Sequence, residues 1–161
     1  MTFSETIRAG GVAFALSNVA ALRWKVFFRP YVGGFYVAEG VDPKRWREDV
    51  PKRLELEYFY SIPGKDFGPA GEEVLARNVS AETIAALNQP LAEISRLYVD
   101  VKPGDRYALT YLPGRGTELS RNGTPLGTVG GGAEFAAAYY TIWLGGEPIS
   151  GAFRDQLLTK R

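Results

Sequence analysis

Leu22-Arg-Trp-Lys-Val-Phe-Phe-Arg-Pro-Tyr-Val-Gly-Gly-Phe-Tyr-Val-Ala-Glu39 is the densest run of aromatic and β-branched residues in the chain, and its period of two reads as strand. From Arg23 to Arg29 the residues alternate, with Arg23, Lys25, Phe27 and Arg29 on one face and Trp24, Val26 and Phe28 on the other. Pro30 cannot donate to a ladder, so a bend, bulge or edge is expected there. A second strand from Tyr31 to Val37 places Tyr31, Gly33, Phe35 and Val37 on one side. Gly33 and Gly34 remove two side chains from its middle, which implies a bulge or a group packed close against the backbone. A cation in a largely apolar sheet, beside a glycine gap and tyrosines, points to a pocket for a small anionic or phenolic ligand.

The flanking segments extend the sheet. Phe3 to Arg8 and Val12 to Leu16 read as strands joined at Gly10-Gly11, closed by Asn18. Asp42 and Pro43 start a short helix as N-cap and first helical residue, ending before Pro51. Leu54 to Tyr60 alternates again, with Leu54, Leu56, Tyr58 and Tyr60 on a core face and Glu55 and Glu57 on a solvated one. From Lys65 to Tyr98 the period becomes helical: Phe67-Gly68-Pro69 opens a helix to Asn78, Ser80 caps the next, and Pro90 breaks it before the apolar stripe Leu91, Ile94, Leu97 and Tyr98. Arg106 to Leu112, Thr117 to Arg121 and Pro125 to Val129 are strands, the last pair joined by Asn122-Gly123, a two-residue hairpin turn. A helix from Ala133 to Leu144 carries Phe135, Tyr139, Ile142 and Trp143 on one face and stops at Gly145-Gly146. Ala152 to Leu158 forms the last helix. Strands at both ends of a helical block predict an α+β fold, an antiparallel sheet covered by helices on one side.

Composition narrows the function. The 161 residues suit a single domain over the whole chain, 1–161. Lys plus Arg is 19 and Asp plus Glu is 18, and a net charge of +1 gives no broad field for nucleic acid. With no Cys and no His, the chain has no thiolate nucleophile, zinc cluster, imidazole base or axial histidine for haem, so neither a metal site nor a cofactor is expected. No apolar run approaches the length of a membrane span.

Three motifs have plain structural readings. Gly127-Thr-Val-Gly-Gly-Gly132 before a helix superficially matches a phosphate loop, but its spacing fits neither the dinucleotide fingerprint nor the P-loop. The sequons at Asn78 and Asn122 fall on a helix junction and a hairpin turn. Arg23 has two readings: an arginine on an exposed sheet face with Lys25 and Arg29, or a guanidinium gripping a carboxylate or phenolate in an apolar cleft.

Phe28-Arg-Pro-Tyr-Val-Gly-Gly-Phe-Tyr-Val, the Leu109 to Thr117 hairpin, the Asn122-Gly123 turn, and Ile142-Trp-Leu-Gly-Gly-Glu-Pro-Ile149 with Phe153 to Leu158 together resemble the bacterial chalcone isomerase-like domain. The resemblance implies an open-faced β-sandwich: a large antiparallel sheet, a layer of helices and a ligand cleft between them. In the plant enzymes of that family an arginine orients the chalcone and stabilises developing charge, while a threonine and a tyrosine polarise its ketone through water. Carried over by position, the arginine falls on Arg23 and the active-site asparagine on Asn78. The central-strand threonine becomes Tyr31, the tyrosine becomes Gly71 or Glu72, and the last-helix threonine becomes Ile142. Two hydroxyls are thus missing and one is replaced by a larger group, and losing one transition-state donor lowers a rate by about a hundred-fold or more.

The resemblance therefore implies a non-catalytic binding protein for a small acidic, apolar ligand, a fatty acid or a phenolic. Arg23, Tyr31, Asn78 and Ile142 would bind it. The alternative is a chalcone-flavanone isomerase-type lyase with weak or altered activity, with Arg23, Tyr31 and Asn78 catalytic; a purely structural or partner-binding domain with a collapsed cleft is the third possibility. Bacterial relatives commonly carry a leader peptide, so the resemblance implies a periplasmic location, with the cytoplasm as the alternative.

Overall fold

The computed structural model describes residues 2–23 and 29–161. Most of the strand expected from Arg23 to Arg29 lies outside the described residues. Among the described residues seven strands, β1 (Thr6–Ala9), β2 (Val12–Ala21), β3 (Tyr31–Ala38), β4 (Lys52–Tyr58), β5 (Arg106–Leu112), β6 (Gly116–Arg121) and β7 (Thr124–Val129), form one antiparallel sheet in chain order. Every neighbour in sequence is a neighbour in the sheet, as short hairpin connections favour. Asn122 and Gly123, at φ 51 and 82, make the tight β6–β7 turn that the Asn-Gly pair anticipates.

Among the described residues five helices, α1 (Phe67–Leu75), α2 (Ala81–Ala86), α3 (Asn88–Leu97), α4 (Gly132–Leu144) and α5 (Gly151–Leu158), accompany the sheet. Asp42 caps a single 3-10 turn, Pro43–Arg45, where a short helix is expected. Pro90 sits within the first turn of α3, where its missing amide costs nothing, so it starts this helix rather than breaking one. Among the described residues no helix is long and apolar enough to cross a membrane.

The main core lies between the sheet and the helices. Tyr31, Phe35 and Val37 of β3, Leu54, Leu56 and Tyr58 of β4, and Tyr107, Leu109 and Tyr111 of β5 face it, as the alternation predicts. Tyr140 pins α4 to this face by donating to the Leu109 carbonyl (2.6 Å). β2 changes phase along its length. A bulge between Leu16 and Asn18 lets Phe14 and Leu16 face the helix-free side while Ala20 and Leu22 face the helices. The extra residue, Ser17, donates to the Leu157 carbonyl (2.8 Å) and ties α5 to the sheet. Asn18 thus sits beside a bulge inside a strand running on to Ala21, where the end of a unit was expected.

Gly33 and Gly34 answer to two aromatic rings, one on each face. A Cβ on Gly33 would lie 2.7 Å from Phe153 of α5, and one on Gly34 would lie 2.5 Å from Phe3. The N-terminal segment therefore covers part of the helix-free face, where Phe3 joins Phe14, Leu16 and Tyr36 in a second small core. Glu55 and Glu57 lie on that face. Glu55 is only 4% exposed and pairs with Arg53 (2.9 Å) and Arg106 (3.0 Å), and Glu57 pairs with Arg106 (2.8 Å). The solvated face expected for these glutamates is corrected for Glu55: Arg106 stacks on Phe3, whose ring helps to roof the ion pairs.

Lys52 is buried at the start of β4. Its ammonium donates to the Glu48 carbonyl (2.9 Å) and stands over the rings of Tyr111 and Tyr140, 4.9 and 5.7 Å from their centroids. Burial pushes its pKa down to about 8, with Asp49 opposing the shift.

Two stability measurements test this account. Gly33→Ala forces Phe153 or Leu56 aside and is expected to cost about 1–3 kcal/mol. Gly34→Ala, opposed by the ring of a terminal segment, costs less; equal unfolding midpoints in denaturant for the two variants would contradict the packing. Lys52 is charged in both folded and unfolded chains below its folded pKa of about 8, and the folded state then bears the burial penalty. Between there and about pH 10.4 the unfolded chain holds the proton that the folded one has lost, so stability rises with pH. The wild type should gain stability relative to Lys52→Met across that window in pH-dependent chemical denaturation.

Candidate functional site

A cavity of about 330 Å³ lies between the sheet and helices α1 and α4. Its floor is built by alternate residues of the sheet: Tyr31 on β3, Leu54, Leu56 and Tyr58 on β4, Tyr107 and Leu109 on β5, and Leu119 on β6. The roof follows from helical spacing, with Phe67, Ala70, Gly71 and Val74 recurring along one face of α1 and Tyr139, Ile142 and Trp143 along α4. Gly71 keeps this roof open, since a Cβ there would sit 3.4 Å from Ile142 and 3.8 Å from the Tyr139 hydroxyl. Leu22, Pro30, Ile62, Asp66 and Ile149 complete the wall.

Six aromatic side chains close into a belt around this space. Tyr31 packs on Tyr58 (centroids 5.3 Å apart), Tyr58 on Phe67 (5.6 Å), and Phe67 stacks on Tyr98 (5.0 Å). The Tyr98 and Tyr139 hydroxyls share a hydrogen bond of 2.6 Å, Tyr139 packs on Trp143 (5.8 Å), and the Trp143 indole donates to the Tyr31 hydroxyl (3.2 Å). These edge-on and stacked contacts are geometries that aromatic rings favour.

The belt is polar without being charged. Burial raises the pKa of Tyr31, the Trp143 hydrogen bond only partly offsetting it, and burial likewise raises those of Tyr58, Tyr98 and Tyr139. All four stay neutral phenols near neutral pH. Tyr31 accepts from Trp143 and keeps its own proton to donate, and the Tyr98–Tyr139 pair retains one proton beyond the shared bond. The Tyr58 hydroxyl makes no hydrogen bond to a described residue. By contrast, Tyr107 is fully engaged, donating to the Val99 carbonyl and accepting from the Val99 amide. Among the described lining residues only Asp66 carries a formal charge, and it is exposed at the rim.

The structure brings Tyr31 and Ile142 together in the cavity wall, with Gly71 between α1 and α4. Arg23 is exposed and does not line the interior. It follows Leu22, which lines the cavity and whose amide donates to the Tyr31 carbonyl (2.9 Å). Arg23 forms no ion pair with a described residue. Asn78 stands apart from the cavity. Its amide donates to the Val74 and Glu147 carbonyls (2.9 Å each) and accepts from the Glu147 amide (2.8 Å), which fastens the α4–α5 turn to the end of α1. With those bonds made, its polar atoms hold the roof.

Tyr58, Tyr98 and Tyr139 read in the sequence only as members of apolar stripes. The available signal was chemical: a tyrosine on a core face carries a hydroxyl that must find a partner, and three such stripes converge here.

The sequence matches the chalcone isomerase-like family model over residues 1–159. A crystal structure of a fatty-acid-binding protein from Arabidopsis thaliana has the same fold, with a TM-score of 0.72 at 14% identity, over 98% of this chain and 91% of that one. Comparison with curated protein sequences finds no match. An antiparallel sheet with its cavity beneath the helices, and a family match over nearly every residue, agree: the chain belongs to the chalcone isomerase-like family.

Proposed function

We propose that this protein binds a small acidic, apolar ligand of the fatty-acid or phenolic class in the cavity between sheet and helices, without transforming it. The observation that carries this reading is the lining itself: apolar walls and neutral phenols, with no basic group among the described lining residues. The volume of about 330 Å³ lies at the small end of ligand pockets. An ionised head group would stay at the rim, held by Arg23 and by the proton Tyr31 has free, while the body lies under Ile142 and Gly71. A charge taken further in would meet no counter-ion and would bear the full cost of desolvation.

The Arabidopsis protein of the same fold is a fatty-acid-binding protein, which supports an acyl ligand. The aromatic belt also suits the ring of a phenolic acid. Isomerase chemistry is the weaker reading, because Gly71 and Ile142 put no hydroxyl where the enzymes have one. The resemblance to leader-bearing bacterial relatives supports the periplasm as its compartment.

Native mass spectrometry of protein purified without added ligand should show one acyl or aromatic acid per chain. Dodecanoic acid should displace a fluorescent acyl probe. Arg23→Ala, which removes a charge-assisted contact, should weaken that competition about ten-fold, and Tyr31→Phe somewhat less. Gly71→Leu should fill the roof and block binding while the helix, freed of a glycine, keeps its content by circular dichroism. Because burial keeps the phenols neutral there, affinity for dodecanoic acid should stay flat between about pH 6 and 9. Loss of affinity through that range, or unimpaired binding by Gly71→Leu, would place the ligand elsewhere; turnover of naringenin chalcone above background would replace binding by catalysis.

A further inference from the structure

The Tyr58 hydroxyl and the Tyr98–Tyr139 pair have no role in holding a head group at the rim. Tyr58 is 4% exposed, lines the cavity, and has no described hydrogen-bond partner. Phe67 and Tyr107 each touch both Tyr58 and Tyr98, and the Tyr98 hydroxyl is bonded to that of Tyr139. They form one cluster. An alkyl chain lying against it would offer no acceptor to the Tyr58 hydroxyl or to the one proton the Tyr98–Tyr139 pair has left.

We propose that the Tyr58 hydroxyl and the Tyr98–Tyr139 pair form a carbonyl subsite, which takes the oxygen of an oxo group carried along the bound acyl chain. This rests on the ligand-binding reading above and narrows its ligand from plain to oxo-substituted acids. The cluster has two protons to give: one on Tyr58 and one left over from the pair. A carbonyl oxygen has two lone pairs and no proton, so it satisfies both donors. An alcohol would bring a further proton into a group already rich in donors. A carboxylate is the wrong charge for this depth, since no cation lines the interior among the described residues.

The test compares dodecanoic acid with 6-, 8- and 10-oxododecanoic acids by calorimetry on the whole chain. At least one oxo isomer should bind the wild type about ten-fold tighter than dodecanoic acid, the return on two hydrogen bonds in a dry site. In Tyr58→Phe, which keeps the ring contacts, that ratio should fall towards one. The preferred isomer, labelled with 13C at its ketone, should show a carbonyl stretch shifted to lower frequency when bound, a signature that needs no variant to fold. If dodecanoic acid binds and every oxo isomer binds equally or more weakly, the carbonyl subsite is overturned while ligand binding stands. A preference that Tyr58→Phe leaves intact also overturns it. If none of these acids binds, the ligand-binding reading falls and the subsite with it.

Discussion

The close approach of two rings to the middle of β3 is the contact on which the other parts depend. Phe153 of α5 occupies the space where Gly33 would carry a side chain, and Phe3 occupies that of Gly34 on the opposite face. Only absent side chains allow a helix on one side and the N-terminal segment on the other to lie this near the backbone. Once α5 is seated, Tyr31 two residues before Gly33 packs on Phe153 (5.7 Å), which fixes the first phenol of the belt. The turn between α4 and α5 is then held from the other side by Asn78.

Buried phenols carry a cost that the fold meets unevenly. Tyr107 and Tyr140 are bonded to backbone carbonyls and act as pins between layers. Tyr31, Tyr98 and Tyr139 are bonded to side chains of the belt and keep donors in reserve, and Tyr58 keeps its whole capacity. Tyr58 lines the cavity, and its hydroxyl is not among the buried unpaired atoms, a place that Thr117 Oγ1 takes among the described residues.

The two faces of the sheet handle charge in opposite ways. The helix-free face gathers Arg53, Glu55, Glu57 and Arg106 into ion pairs under Phe3, each charge answered by a neighbour. The helix face carries Lys52 at one edge, with its pKa depressed by burial, and Arg121 opposite Tyr107, where it donates to the Asp100 carbonyl (3.0 Å). Neither reaches the cavity: among the described lining residues there is no Lys or Arg, and Asp66 stands exposed at the rim.

The order of elements was legible in the sequence because hydrophobic period, caps and turn residues act locally: the Asn122-Gly123 turn, the Ser80 cap and the alternation of β3 and β4 are all decided within a few residues. The glycine pair in β3 announced a close contact, and only the folded chain named Phe153 and Phe3 as its partners. The family motifs likewise led to Tyr31 and Ile142 in the cavity wall. They gave no hint that Asn78 spends its amide on Glu147, or that Glu55 is buried, because both depend on segments distant in sequence. The phenol cluster was equally invisible: Tyr58, Tyr98 and Tyr139 belong to a strand, the end of one helix and the middle of another. Local chemistry determined which residues face the core, and tertiary packing decided which hydroxyls meet there, since hydrogen bonds between distant segments leave no periodic trace in the chain.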